Sequence, residues 1–427
     1  MKHDIIDFLS GKSILILGFG REGKSALEFV QTNLPDAKVA VADANPLELD
    51  GVTTITGPDY LNAMNDYDLV IKSPGVPALD DLFAQNANKI TSLTDMFLRF
   101  CQNPIIGVTG TKGKSTTASL THHILKECGY DTILVGNIGI ACFTAIDQIK
   151  PETIIVFELS CHQLEYIQAS PHVAILLNLY QEHFDHYRTP DDYFNAKKNI
   201  YKHQGTDDVL IYGDIFQHTS HEEIEHLPMQ KIDIYHDIEI PADQIQTHLV
   251  GSHNLHDIYA AIAACEAMGL SREEIIPAIA SFRGLPHRME YVGKFHDVDY
   301  YNDSIATAQE AVIHAVKALE RVDTLILGGM ERNLDYHPLV EFLRTSNVRN
   351  IILLPNTGES IQRIFNEAPF SQQLILVHDM QEAVARADEF TAKDHICLLS
   401  PAAASYGFYK NFEERGDDFK RLVSMLQ

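Results

Sequence analysis

Short apolar runs alternate with helical stretches along the whole chain, and glycine, proline or asparagine marks many of the junctions. Residues 13–18 read as a buried strand, Gly18-Phe-Gly-Arg-Glu-Gly23 follows, and a helical pattern runs to about Val30. Further strands are expected over Lys38–Ala42, ending at Asp43, and over Asp68–Lys72, running into Ser73-Pro-Gly75. Gln102-Asn-Pro104 looks like a joint. Beyond it the pattern predicts a strand into Val108, a helix Ser115–Glu127, strands Thr132–Val135, Thr153–Phe157 and Val173–Leu177, and helices Tyr193–Tyr201 and Leu255–Met268. Residues 213–248 are acidic, His-rich and weakly patterned, and hairpins and loops are expected there. Strands then recur at 299–301, 324–327, 350–354, 373–377 and 395–399 with helices between them. Strands alternating with helices argue for parallel sheets. The expected fold class is α/β with three tandem domains: a Rossmann-like N-terminal domain over 1–101, a central P-loop ATPase-like domain over 102–287, and a Rossmann-like C-terminal domain over 288–427.

Composition adds bounds. A chain of 427 residues exceeds the size at which one core keeps growing, and its 45% hydrophobic content is that of a soluble globular protein. The formal charge of −26 disfavours nucleic acid and anionic membranes as partners. Six cysteines without a CxxC pair suit a reduced cytoplasm. No apolar signal region opens the chain, and no run approaches the ~18 apolar residues of a membrane span. A cytoplasmic monomer without membrane insertion is expected.

The strongest chemical signal is Gly107-Val-Thr-Gly-Thr-Lys-Gly-Lys-Ser-Thr-Thr117, between an apolar strand and a helix. Backbone N–H groups of such a loop converge on phosphate oxygens, and the helix N-terminus adds its positive end. Gly110, Thr111, Lys112, Gly113, Lys114, Ser115 and Thr116 are the expected nucleotide contacts, with Lys114 on the outer phosphates and a Ser115 or Thr116 hydroxyl on Mg²⁺. The loop is shorter than the strict Walker form, because Val108 stands five before Gly113. Glu158, at a strand end after this loop, is placed to hold the same ion. Glu182-His-Phe-Asp-His186 invites a zinc reading, but a loop giving one imidazole, His183, to a second Mg²⁺ fits better, with His186 exposed. In the first domain GxGxxG with Asp43 twenty positions past Gly23 has the layout of a dinucleotide fold, or of a relative binding another phosphate ligand. A second phosphate loop downstream argues against a simple dehydrogenase.

These motifs, in this order, resemble the Mur ligase family of peptidoglycan precursor synthesis over essentially the whole chain. The resemblance is carried by Gly18–Gly23, Ser73-Pro-Gly75, Gly110–Thr116, Gly136–Gly139, Glu158-Leu-Ser160 with Gln163, Glu182-His183, Ala196-Lys197, His253-Asn254, Leu285-Pro-His-Arg288, Asn302-Asp-Ser304, Gly328-Gly329, Ser400-Pro401 and Lys410-Asn-Phe-Glu413. It implies ATP-dependent ligation of glutamate, D by family base rate, to UDP-N-acetylmuramoyl-L-alanine through an acyl phosphate. Lys114, Glu158, His183 and Lys197 would be catalytic, with two Mg²⁺ ions near Ser115, Glu158, His183 and a carbamylated Lys197. Asn254, Arg288 and Asp303 map to ATP contacts. Gly18, Arg21, Glu22, Asp43, Ser73, Gly75, Asn137, Ser160 and Gln163 map to the nucleotide-sugar side, and Thr307, Arg332, Ser405 and Phe412 to glutamate.

Departures concentrate where the amino acid would bind. Ile305 stands where Lys is typical, Ala308 where Asn is typical, and Arg332 where a second Lys is expected. Lys112 and Asp257 replace common asparagines. Ligation of L-glutamate, a folylpolyglutamate synthase-like ligase and a non-catalytic nucleotide-binding relative are the alternatives these departures keep open.

Overall fold

A computed structural model describes residues 1–180, 186–238, 240–241, 244–249, 251, 253–332 and 334–426, with the side chain of His253 left out. Among the described residues three sheets form, each with short buried central strands and more exposed edge strands, most of them followed by helices. Strands β1 (Ile14–Leu17), β2 (Val39–Asp43), β3 (Thr53–Thr56), β4 (Leu69–Lys72) and β5 (Ile90–Thr91) make an all-parallel sheet of order β3-β2-β1-β4-β5. The order reverses between β1 and β4, so the loops after these strands flank the crevice where ligands of open α/β sheets bind.

Strands β6 (Ile105–Thr109), β7 (Thr132–Gly136), β8 (Ile154–Glu158), β9 (Val173–Asn178), β10 (Val209–Asp214) and β11 (Gln230–Asp233) make a second parallel sheet of order β11-β10-β9-β6-β8-β7. The stretch expected to be hairpins and loops instead contributes the end of β10, a short helix His221–Glu225 and the edge strand β11, paired parallel to β10. Its alternation is too weak to see locally because β11 is polar at three of its four positions, Gln230-Lys-Ile-Asp233. These two sheets lie in one compact unit, residues 1–245 with 253–279.

The other unit holds residues 246–252 and 280–427. Its sheet has order β12-β13-β17-β14-β15-β16, from β12 (Glu290–Phe295), β13 (Val298–Asn302), β14 (Val322–Gly329), β15 (Asn350–Asn356), β16 (Gln373–Leu376) and β17 (Ile396–Leu399). Only β12 is antiparallel to its neighbour. β14 is buried at all eight positions, as expected for a central strand covered on both faces. No helix among the described residues is long and apolar enough to cross a membrane.

Candidate active site

In the first unit the chemistry gathers at the carboxyl ends of β1, β4, β6 and β8. Thr109 ends β6 and Gly113 caps the helix Lys114–Glu127. Between them Gly110 adopts φ +157° and Gly113 φ +85°, backbone conformations that favour glycine. Asn178, at the end of β9, fixes the loop: its Oδ1 accepts the N–H groups of Thr111 and Lys112 at 3.0 and 2.8 Å. The ammonium of Lys114 donates to the carbonyls of Gly110 and Thr111 at 3.0 Å each. Lys197, on the helix Pro190–Lys202, is almost wholly buried and donates to the same Gly110 carbonyl at 2.7 Å. Two cations thus converge on one turn of backbone. Ser115 and Thr116 open the helix in half-buried positions and Lys112 is exposed.

Glu158 ends β8 with no exposed surface. Its Oε1 accepts Asn137 Nδ2 at 3.0 Å, while the buried Oε2 has no hydrogen-bond partner among the described residues. A buried carboxylate oxygen is rarely left unmatched, and this one is of the chemical type that holds a divalent cation. His183 lies outside the described residues, as do Glu182 and Asp185.

A cavity of about 700 Å³ joins the two glycine loops. It is lined by Gly18, Arg21, Glu22, Asp43, Ser73 and Gly75 from the first sheet, and by Lys114, Asn137, Ser160, Gln163 and Lys197 from the second. Several of these side chains hold the walls. Ser73 Oγ donates to the Gly18 carbonyl at 2.7 Å, and Asp43 Oδ2 accepts the Phe19 N–H at 2.8 Å. Ser160 caps the short helix Cys161–Leu164 in a reciprocal pair with Gln163. Gln163 Nε2 donates to Glu22 Oε1 at 2.9 Å, and Glu22 Oε2 is buried without a partner among the described residues. Burial raises the Glu22 pKa above the ordinary carboxylate range.

Two features were not read from the sequence. Lys72 Nζ, Glu165 and His186 form a buried network, with Glu165 Oε2 accepting Lys72 at 2.7 Å and Oε1 lying 2.8 Å from His186 Nε2. His186 is therefore not exposed; it is only 8% accessible, because a carboxylate distant in sequence draws it inside. Burial pushes the Glu165 carboxyl up, but the His186 hydrogen bond and the Lys72 charge outweigh it and hold the group below its ordinary range. The second feature is the burial against the phosphate loop of Asp257, on the helix His253–Ala267. Its Oδ1 lies 2.1 Å from where a Cβ on Gly113 would stand, so it presses against the phosphate loop. Burial pushes its carboxyl up to about 7, which the nearby Thr117 hydroxyl offsets only in part. Asn254, one turn earlier, is also buried.

The second unit gathers the remaining candidates around the ends of β13, β14 and β17. Asp303 accepts Ser400 Oγ at 2.7 Å and the Met289 N–H at 3.2 Å. Burial lifts its carboxyl to about 6, against those two hydrogen bonds and the charge of Arg288. Arg332 is exposed and donates to the Thr307 carbonyl at 2.8 Å. Phe412 lies edge-on to His287 and its carbonyl accepts Ser304 Oγ at 2.8 Å. Ser405 is buried. Ala308 is the N-cap of the helix Gln309–Leu319 and supplies no side-chain bond to it.

Comparison with known proteins places this geometry among relatives. The model of the Mur ligase middle domain matches residues 108–265, and that of the Mur ligase glutamate ligase domain matches residues 287–403. A UDP-N-acetylmuramoylalanine–D-glutamate ligase of Clostridium botulinum (strain Loch Maree / Type A3) is 30% identical, over 98% of either chain. Among solved structures, a UDP-N-acetylmuramoyl-L-alanyl-D-glutamate–2,6-diaminopimelate ligase aligns with a TM-score of 0.58 at 16% identity, covering 96% of this chain and 92% of that one. The MurF ligase of Thermotoga maritima in complex with ADP aligns with a TM-score of 0.51 at 15% identity, covering 97% and 95%. These two share the fold.

Proposed function

The chain belongs to the Mur ligase family, and from that premise we propose that it joins D-glutamate to UDP-N-acetylmuramoyl-L-alanine, with ATP as the phosphoryl donor, in peptidoglycan precursor synthesis in the cytoplasm. It is an ATP-dependent acid–amino-acid ligase. The observation that carries the proposal is the shared cavity: the crevice of the first sheet and the Lys114 loop open into the same 700 Å³. A substrate held by a nucleotide diphosphate at one end can there present a carboxylate to a transferring phosphoryl group at the other.

The chemistry requires two displacements. An alanyl carboxylate oxygen attacks the γ-phosphorus of ATP, and ADP leaves. The glutamate amine, once deprotonated, then attacks the acyl carbon, and the C–O bond to phosphate breaks. Catalysis of this kind is mainly positioning and neutralisation of phosphate charge. Lys114 would move its ammonium from the loop carbonyls to the outer phosphates. Gly110–Thr116 would cradle the phosphates, and Asn254, Arg288 and Asp303 would contact the nucleotide. Gly18, Arg21, Asp43, Ser73 and Asn137 would hold the sugar nucleotide, with Glu22, Ser160 and Gln163 fixing that wall.

The residues present fit Mg²⁺. Glu158 Oε2 is a buried oxygen unmatched among the described residues, and Ser115 and a carbamylated Lys197 would complete the expected set with His183. Such ions, when bound, draw charge from the phosphates. Thr307, Arg332, Ser405 and Phe412 would receive glutamate. The ranges 1–101, 102–287 and 288–427 would then serve the sugar nucleotide, ATP and the amino acid in turn.

Purified protein should release phosphate only when ATP, UDP-N-acetylmuramoyl-L-alanine and D-glutamate are all present. Preference for the L form would correct the stereochemistry, and turnover with neither would refute glutamate as the substrate.

A further inference from the structure

The phosphate loop is fastened to the end of β9 by more bonds than a turn beside a strand requires. Gly110 packs so closely there that a Cβ on it would lie 2.9 Å from Leu177 Cβ and 3.4 Å from the Asn178 nitrogen. Asn178 then uses both ends of its amide. Its Oδ1 accepts the N–H groups of Thr111 and Lys112 at 3.0 and 2.8 Å, and its Nδ2 donates to the Lys112 carbonyl at 3.1 Å. The Asn178 carbonyl also accepts the Thr111 N–H, at 3.1 Å. Thr111 Oγ1 accepts the Tyr180 N–H at 3.0 Å and donates to the Tyr180 carbonyl at 3.1 Å.

These bonds divide the loop into two halves. An N–H that donates to Asn178 is not offered to a phosphate oxygen, so the N–H groups of Thr111 and Lys112 shape the backbone instead of binding the ligand. The N–H groups that follow are differently placed. The first turn of a helix has no acceptors of its own for its N–H groups. In the helix Lys114–Glu127 the Thr117 N–H donates to the Gly113 carbonyl at 2.9 Å, which leaves the N–H groups from Gly113 to Thr116 outside the helical ladder.

We propose that Asn178 is a positioning residue for phosphoryl transfer: it ties off the Thr111–Lys112 half of the loop, so that the phosphates of ATP meet a preformed row of N–H groups from Gly113 to Thr116. The inference rests on the ATP reading given above. Donors already in place need no reorganisation as charge develops on the transferring group. Asparagine suits the task because its short planar amide carries an acceptor with two lone pairs and a donor. Aspartate has the same shape and could still accept both N–H groups, but it cannot donate to the Lys112 carbonyl and would set a negative charge against that oxygen.

Hydrogen exchange resolved to single amides, on the full chain with ADP and Mg²⁺ as the probe, tests the division directly. In the unaltered protein Thr111 and Lys112 should exchange slowly with or without ADP, changing less than about 2-fold, whereas Gly113–Thr116 should slow at least about 10-fold when ADP binds. In Asn178→Ala the Lys112 N–H should exchange at least about 10-fold faster, and the Thr111 N–H, which keeps the carbonyl of residue 178, should change less. Steady-state kinetics gives the second readout. Asn178→Asp should raise the KM for ATP about 10- to 100-fold and leave the KM for the sugar nucleotide within about 2-fold, a split that loss of folded protein does not produce. New ADP protection at Thr111 and Lys112, no ADP-dependent protection at Gly113–Thr116, or a folded Asn178→Asp with the original KM for ATP overturns the inference. If neither variant folds, the exchange pattern of the unaltered protein decides. Failure of the ligase reading is recognised separately, because the unaltered protein would then show this pattern with ADP yet release no phosphate with all substrates present.

Discussion

Replacing Asp257 with asparagine should stabilise the ligand-free protein, and should do so far more at pH 8 than at pH 5. The carboxyl is buried against Gly113, and its pKa rises from 3.8 to about 7. A raised carboxyl binds its proton more tightly in the folded chain than in the unfolded one. Stability is therefore highest below the unfolded value, falls as pH climbs from there to the folded value, and flattens above it. At 1.36 kcal/mol per unit, the penalty is about 1.6 kcal/mol at pH 5 and about 4 kcal/mol at pH 8. Asparagine has the same shape and no charge to bury, so its advantage over aspartate should grow by about 2–3 kcal/mol between the two conditions. At about 2 °C per kcal/mol, the melting temperature difference should widen by ~5 °C. Scanning calorimetry of both proteins without nucleotide and with a chelator, at pH 5 and pH 8, measures it directly. An equal difference at both pH values, or a destabilised variant at pH 8, would refute the claim that burial raises the Asp257 carboxyl to about 7.

Lys114→Ala should lower kcat at least about 100-fold by removing charge from the transferring phosphoryl group; a near-normal rate of phosphate release would remove the loop from the mechanism. Lys72→Met should cost about 3–5 kcal/mol in urea unfolding because it leaves Glu165 with His186 alone in a buried site, whereas Lys72→Met combined with Glu165→Leu should recover most of that loss. If the double variant is no better than the single one, the pairing is not the source of the cost. Ala308→Asp should add about 1 kcal/mol by supplying the missing cap to the helix Gln309–Leu319, seen as a higher urea midpoint at unchanged slope; no shift would mean that the helix start is already satisfied.

Much of the architecture was legible because buried parallel strands are continuous apolar runs. β1, β4, β6, β8, β9 and β14 stand within two residues of their expected ends, or extend them by no more than that. The glycine loops were legible for a different reason: they impose a backbone shape that few other residues tolerate, so their spacing survives in the sequence. Short edge elements were not. β3, β5, β11 and β12 have few or partly exposed apolar positions, and their stability comes from the neighbour they pair with. The candidate site divides along the same line. Lys114 and Glu158 were legible because they follow a recognisable turn and a strand end, whereas Lys197, inside the helix Pro190–Lys202, was singled out only by the family resemblance. The burial of His186 depends on Glu165 and Lys72, the latter more than a hundred residues away in sequence. A local pattern holds no trace of partners that only folding brings near.

The Lys72–Glu165–His186 network also bears on how this chain can vary and recombine. Lys72 ends a strand of the first sheet, while Glu165 and His186 belong to segments of the second, so the joint that looks free at residues 102–104 is crossed by buried charge. A chimera that takes its first hundred residues from a relative with a neutral side chain at position 72 would inherit a carboxylate with half its partners gone. Functional exchange across that joint therefore requires positions 72 and 165 to change together, and in a library of shuffled relatives the survivors should retain them as a matched pair.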